Sequence, residues 1–266
     1  MTAHEVAHQW WGHQVTEAGV KGNAMISETL AQYSALMVMK QDFSEEIVQK
    51  YLRHELNQYL FGRTFERKKE MPLEFVESQG YIHYRKGSVV MYALQDYISE
   101  DSLNMALKRF NKDWAFKEGI YPTSADLISY FEQVTPDSLQ YIIDDMFRSI
   151  TLFENKTMEA SYSTNPDSTY TVNLEVDAIK YKADSLGTES TVALQDYIDI
   201  GVYGKDEEGE DKLLYLQKHL IDDQTKTFQI TVSEKPIKAG IDPIHKLIDR
   251  NPDDNVKDLE EAEETL

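Results

Sequence analysis

The feature that most limits the fold of this chain is a change of hydrophobic period near Asn155. Before it, apolar residues recur at helical spacing. The stretch from Ser27, "SETLAQYSALMVMK", combines good helix formers with Leu30, Tyr33, Leu36 and Met37. The next, "SEEIVQKYLRHELNQYL", places Ile47, Tyr51, Leu52 and Leu56 on one face, with Ser44 at the N-cap position. Lys86 to Ile98 reads as a largely buried helix, and "SEDSLNMALKRFNKDWAF" as an amphipathic one. Thr123 with Asp126 three residues on, and Thr135 before Pro136, predict two further capped starts. Beyond Asn155 the period falls to two: Tyr170, Val172, Leu174 and Val176 alternate with polar residues, as do Ile198, Ile200 and Val202, then Phe228, Ile230 and Val232. The expectation is an α+β protein, with a mostly helical lobe over 1–154 and a small antiparallel β-sandwich over 155–248. Residues 249–266 read as an acidic, solvated tail.

Charge narrows the functional classes. Among 266 residues there are 27 Lys and Arg against 47 Asp and Glu, a net charge of −20. Such a surface repels nucleic-acid phosphates, so no nucleic-acid partner is expected. There is no cysteine, which excludes a disulfide framework and any cysteine-based metal site. No apolar run approaches the roughly 20 residues that span a bilayer, and the chain as it stands reads as soluble.

Against that background the string "HEVAH" at residues 4–8 stands out. On a helix, residues four apart share a face, so His4 and His8 can present two imidazoles to one ion. Glu5, turned about 100° away, lies beside that ion and can accept a proton from water. Glu28 opens the next helical pattern and supplies an acid for a His-His-Glu set, leaving one position of a tetrahedral zinc site open. A structural zinc normally has four protein ligands, and only three present themselves. His13 falls off the His4–His8 face and reads as a hydrogen-bonding partner, while His54, His219 and His245 lack partners at metal spacing. Trp10 and Trp11 read as core residues.

"HEVAHQWWGHQV" followed by "ISETLAQYSALM" resembles the aminopeptidase N-like family of gluzincin metallopeptidases. That family pairs H-E-x-x-H with a later Glu and has aromatic residues and a glycine after the second His, here Trp10, Trp11 and Gly12. The gap from His8 to Glu28 is 19 residues, one longer than is usual in the family. A bacterial branch, in which the peptidase forms the C-terminal part of a transporter-permease-like membrane protein, resembles this chain more fully. It shares late text like "GIDPIHKLIDRNPDDN" at Gly240–Asn255, so the resemblance runs from His4 to Asn255. It implies a thermolysin-like helical lobe, one zinc ion held by His4, His8 and Glu28, a peptide substrate, and a parent tethered to a bacterial cell membrane. It also implies a tyrosine that hydrogen-bonds the developing oxyanion, in the context "YRKG", which assigns that role to Tyr84. Tyr81 and His83 lie close enough in sequence to line the same site.

One family feature is missing. The Gly-x-Met-x-Asn motif, whose Glu anchors the substrate amine, precedes H-E-x-x-H in that family and occurs nowhere here. The sequence therefore reads as a fragment of a longer zinc aminopeptidase, carrying the ligands, the base and the oxyanion donor. The rival reading is a non-catalytic module that binds peptide or a partner within a membrane transporter-like assembly. Glu5 argues against it, because a binder needs no base beside its metal.

Overall fold

The computed structural model describes residues 1–262 and divides the chain into two compact units. The first comprises Met1–Thr151 with Lys182–Glu189 and Lys246–Ile248; the second comprises Leu152–Tyr181, Ser190–His245 and the residues from Asp249 onward.

The first unit is helical. Its elements are α1 (Thr2–Ala7), α2 (Leu30–Asp42), α3 (Glu45–Phe65), α4 (Gly87–Ile98), α5 (Glu100–Trp114), α6 (Ser124–Glu132) and α7 (Gln140–Ile143). A π-helical turn, Met25–Thr29, leads into α2, another, Tyr81–Lys86, leads into α4, and a third, Asp144–Arg148, follows α7. α4 is buried along nearly all its length, polar Ser88 and Gln95 included, and forms the axis of the unit, packed by α2, α3 and α5. α3 turns Val48, Leu52, Leu56 and Tyr59 inward at helical spacing, and Val48 and Leu52 join Leu36 and Tyr92 in one cluster. At α6 the predicted cap is a full capping box: Thr123 Oγ1 accepts from the Asp126 N–H and Asp126 Oδ2 accepts from the Thr123 N–H at 2.8 Å. Ser44 holds the N-cap position of α3, but its hydroxyl makes no capping bond. Gly22 sits at φ +87°, and a Cβ there would lie 2.0 Å from the Glu74 carbonyl oxygen, so this approach admits glycine alone.

The second unit is built from β1 (Ile150–Thr164), β2 (Tyr170–Ala183), β3 (Glu189–Val192), β4 (Asp196–Lys205), β5 (Asp211–Ile221), β6 (Thr225–Val232), β7 (Lys238–Ile241), β8 (Val256–Asp258) and β9 (Glu260–Glu261). One sheet runs β3-β2-β1-β9 with β6 also on β2; the other runs β5-β4-β7-β8. In β2, Val172, Leu174, Val176 and Ala178 are buried and alternate with more exposed residues, the period-two pattern of its sequence. β4 is buried from Ile198 to Gly204, as befits a strand flanked on both edges and covered on both faces.

The chain after Asp249 departs from the expected solvated tail. Asp249 and Asn255 are fully buried, β8 pairs with β7, and β9 pairs in parallel with β1. The physical reason is that a strand added at a sheet edge is held by backbone bonds, which hydropathy does not report. The approach is close: a Cβ on Gly240 would lie 2.0 Å from the Asn255 carbonyl oxygen. The last four residues of the predicted tail, 263–266, lie outside the described residues.

Asp249 staples this region. Its carboxylate accepts from the backbone N–H of Asn155 and of Asn251, each at 2.9 Å, and the Asn255 amide donates to it at 3.2 Å. Burial nonetheless outweighs these bonds and pushes its pKa up to about 6. The folded protein thus holds this proton more tightly than the unfolded chain does. Its contribution to stability is complete below about pH 4 and is lost as pH rises through 6. Urea unfolding of the wild type and Asp249→Asn at pH 4 and pH 7 should show a pH-dependent loss larger in the wild type by about 2 kcal/mol. Identical pH dependence would mean that the carboxyl titrates as an ordinary acid.

Candidate active site

Three segments bring the site together. α1 has only six residues, too short to be stable by itself, and is held by packing on α2. His4 lies on this helix and His8 at its C-cap, still in helical conformation. The two rings meet edge to face with centroids 4.8 Å apart. The chain then turns back at Gly12, φ +108°, whose N–H donates to the Val15 carbonyl at 2.9 Å. Through this turn the Trp11 carbonyl lies 3.0 Å from His8 Nδ1. That acceptor selects the Nδ1–H tautomer and leaves the lone pair on Nε2. The Trp11 indole is buried and donates to Ser34 Oγ at 3.1 Å, tying the turn to α2. Trp10, expected in the core, is instead about half exposed, because this short helix and turn can bury only one of two adjacent indoles.

Glu28 comes from the π-helical turn before α2. Its Oε2 lies 3.4 Å from His4 Nε2 and 3.7 Å from His8 Nε2. Among the described residues, His4, His8 and Glu28 form the group of metal-capable side chains whose ligand atoms all fall within 4.8 Å of one another. Two imidazole nitrogens and a carboxylate aimed at one point fit a zinc ion in number and kind. His8 has its outer-shell acceptor in the Trp11 carbonyl, whereas His4 Nδ1 is buried without a partner.

Tyr84 comes from the π-helical turn before α4, with its ring centroid 5.9 Å from that of His4. Burial, then a hydrogen bond to Glu28 and the charges of Glu28 and Glu5, push its pKa up to about 12, so the phenol keeps its proton at neutral pH. His83 packs edge-on against it at 4.3 Å and is buried, which lowers its own pKa. Tyr81 joins another network, stacked on Tyr59 at 6.0 Å and near Gln79. Glu5 is exposed and borders, with His4 and Tyr84, a cavity of about 510 Å³. His13 lies 3.3 Å from the Gln9 amide, outside the group.

Sequence reasoning missed the groups that align the two π-helical turns. The Thr29 hydroxyl, next to Glu28, donates to the His83 carbonyl at 2.6 Å in the interior. Gly87 lets this approach happen: a Cβ there would lie 2.7 Å from Thr29 Cγ2. A buried Glu55, bonded to Arg85 at 2.6 Å, was also missed, although an acid on the apolar face of α3 was a visible signal.

Residues 1–147 match the Peptidase family M1 domain. The chain belongs to this peptidase family. Similar solved structures include a mutant M1 zinc metallopeptidase from Deinococcus radiodurans bound to a Tyr-Ser-Ala substrate, 18% identical with a TM-score of 0.43 over 55% of this chain and 32% of that one. A two-domain M1 zinc metallopeptidase mutant bound to L-tryptophan is similar to the same degree, at 18% identity and a TM-score of 0.43, again over 55% and 32% of the two chains. This family member thus spans about a third of the length of those chains. No curated protein sequence matches it.

The Thr29 contact is directly testable. Thr29→Val keeps the shape and removes one buried hydrogen bond, so urea unfolding should show a loss of about 1 kcal/mol. Unchanged stability would show that the bond does not hold the two turns together.

Proposed function

We propose that this chain forms the metal-holding part of a zinc peptidase site, and that the protein hydrolyses peptide bonds, removing residues from the N-termini of peptides. The observation that carries this reading is the convergence of His4, His8 and Glu28 within 4.8 Å in a chain of peptidase family M1. In it, the two Nε2 atoms and the Glu28 carboxylate hold one zinc. When bound there, zinc supplies Lewis acidity, which makes a neighbouring water acidic and polarises the scissile carbonyl.

The remaining work falls to side chains of this chain. Glu5, exposed to the cavity beside His4, accepts a proton from the water that attacks the carbonyl carbon. It then delivers that proton to the amine nitrogen as the C–N bond breaks. Tyr84 donates a hydrogen bond to the carbonyl oxygen as that oxygen gains charge, and its pKa of about 12 keeps the donor proton in place. A membrane-tethered parent, implied by the resemblance, belongs to the same proposal; among the described residues no helix is long and apolar enough to cross a membrane.

Elemental analysis after zinc loading should give about one equivalent in the wild type and a clear loss in His8→Ala. Equal zinc in the two would remove His8 from the ligand set. Glu5→Gln should retain the metal and lose at least about 10²-fold in turnover of an aminoacyl chromogenic substrate. Tyr84→Phe should lower kcat more than it raises KM, because its bond strengthens in the transition state. Hydrolysis of N-acetylated peptides as fast as free ones would argue against N-terminal trimming.

A further inference from the structure

The cavity beside the candidate site has a wall that the proposed chemistry leaves unused. His4, Glu5 and Tyr84 border it on the reacting side, while Leu36, Met39 and Phe43 make an apolar flank. Arg85, the residue after Tyr84, also lines it and is the only lysine or arginine to do so among the described residues. Its inner end is fixed: Nη1 donates to Glu55 Oε1 at 2.6 Å, and Glu55 is fully buried. Its outer end is not, since the side chain keeps 39% of its exposure. A guanidinium has five N–H donors in a rigid fork, and this ion pair occupies one edge of it. Three further polar side chains line the cavity, Tyr51, Gln32 and the acid Asp42, the amide of Gln32 donating to the Tyr51 phenol.

We propose that Arg85 is a specificity residue of this site: it receives a carboxylate of the bound peptide, from an acidic side chain or from the C-terminus of a short peptide, close to the bond that is cut. This rests on the peptidase reading. The chain carries a net charge of −20, so an anionic group approaching it is repelled nearly everywhere. A single anchored guanidinium then decides where a carboxylate can sit, and bidentate pairing rewards the correct placement. The apolar flank accommodates the aliphatic part of the same residue. Glu55 positions the fork, whereas a lysine in its place would offer a mobile point charge.

The competing reading makes Arg85 a mere partner for the buried charge of Glu55. The two differ in selectivity. Three peptides sharing one scissile bond separate them: one neutral and amidated, one neutral with a free C-terminal carboxylate, and one amidated with Glu next to the bond. In the zinc-loaded full chain, kcat/KM for one of the carboxylate peptides should exceed that of the neutral one by about tenfold. The peptide that carries the preference identifies the source of the carboxylate. Arg85→Met should bring the ratio close to one, and Glu55→Gln, whose amide oxygen still accepts from Nη1 and holds the fork while the competing negative charge is removed, should preserve or raise it. If Arg85→Met does not fold because Glu55 loses its partner, the Glu55→Gln/Arg85→Met double variant carries the same comparison. No preference in the wild type, or an equal loss for all three peptides in the variant, would overturn the proposal. If no peptide is cleaved at all, the peptidase reading fails. Calorimetric titration of the same peptides into wild type and variant then decides Arg85 by itself: tighter carboxylate binding lost on substitution supports it, and equal affinities overturn it.

Discussion

The alignment of the two turns that carry Glu28 and Tyr84 depends on one buried contact, the hydrogen bond from the Thr29 hydroxyl to the His83 carbonyl at 2.6 Å. It joins two π-helical turns far apart in sequence, one carrying Glu28 and the other Tyr84. The contact exists only because Gly87 has no side chain to obstruct it. The histidines depend on the same core less directly, since six-residue α1 cannot hold its own shape. Burial of Trp11 and its bond to Ser34 fasten the histidine segment to α2, the helix that Glu28 introduces. The candidate metal-holding side chains, Glu5 and the Tyr84 phenol therefore share one reference, the α2–α4 packing.

Three consecutive residues of one turn meet three different environments. Tyr84 faces Glu28 and the cavity, Arg85 spans from a buried carboxylate to that cavity, and Lys86 is driven inward. Burial lowers the pKa of Lys86 to about 8, and its ammonium is received by the Ser149 carbonyl at 3.3 Å and by the Tyr59 ring at 5.7 Å. Nearby, Glu70 accepts from Tyr59 at 2.6 Å and from Arg63 at 2.8 Å. A buried charge is costly to leave alone, so each is given a partner. The network specifies how the turn before α4 packs, which apolar contacts alone would leave less defined.

Much of this was legible in the sequence, for identifiable reasons. Helical and strand periods reflect which face is buried, and the change near Asn155 falls close to where the two compact units divide at Thr151. The capping box at Thr123 was readable because it is local, three residues wide. The spacing of His4 and His8 is local too, and Glu28 stood out as the acid opening the next helix. What escaped were relations without periodicity: the edge strands beyond Asp249, the Thr29–His83 bond across 54 residues, and the Arg85–Glu55 pair across 30. Adjacent Trp10 and Trp11 look alike on paper, and only the turn at Gly12 distinguishes the buried one.

The π-helical turn that carries Glu28 has a further meaning. Its backbone bonds reach one residue further than those of an α-turn, so it absorbs an extra residue without breaking the helix. The segment between His8 and Glu28 is one residue longer than the spacing that the family resemblance implies, and the turn is a geometry able to take up one residue more. What the site requires is then the direction in which the carboxylate points, not a count of residues along the chain. Removing one residue from that turn would rotate the carboxylate by about a quarter turn away from the imidazoles while leaving every side chain in the sequence intact. In such a site, a change of length is a harsher mutation than most changes of identity.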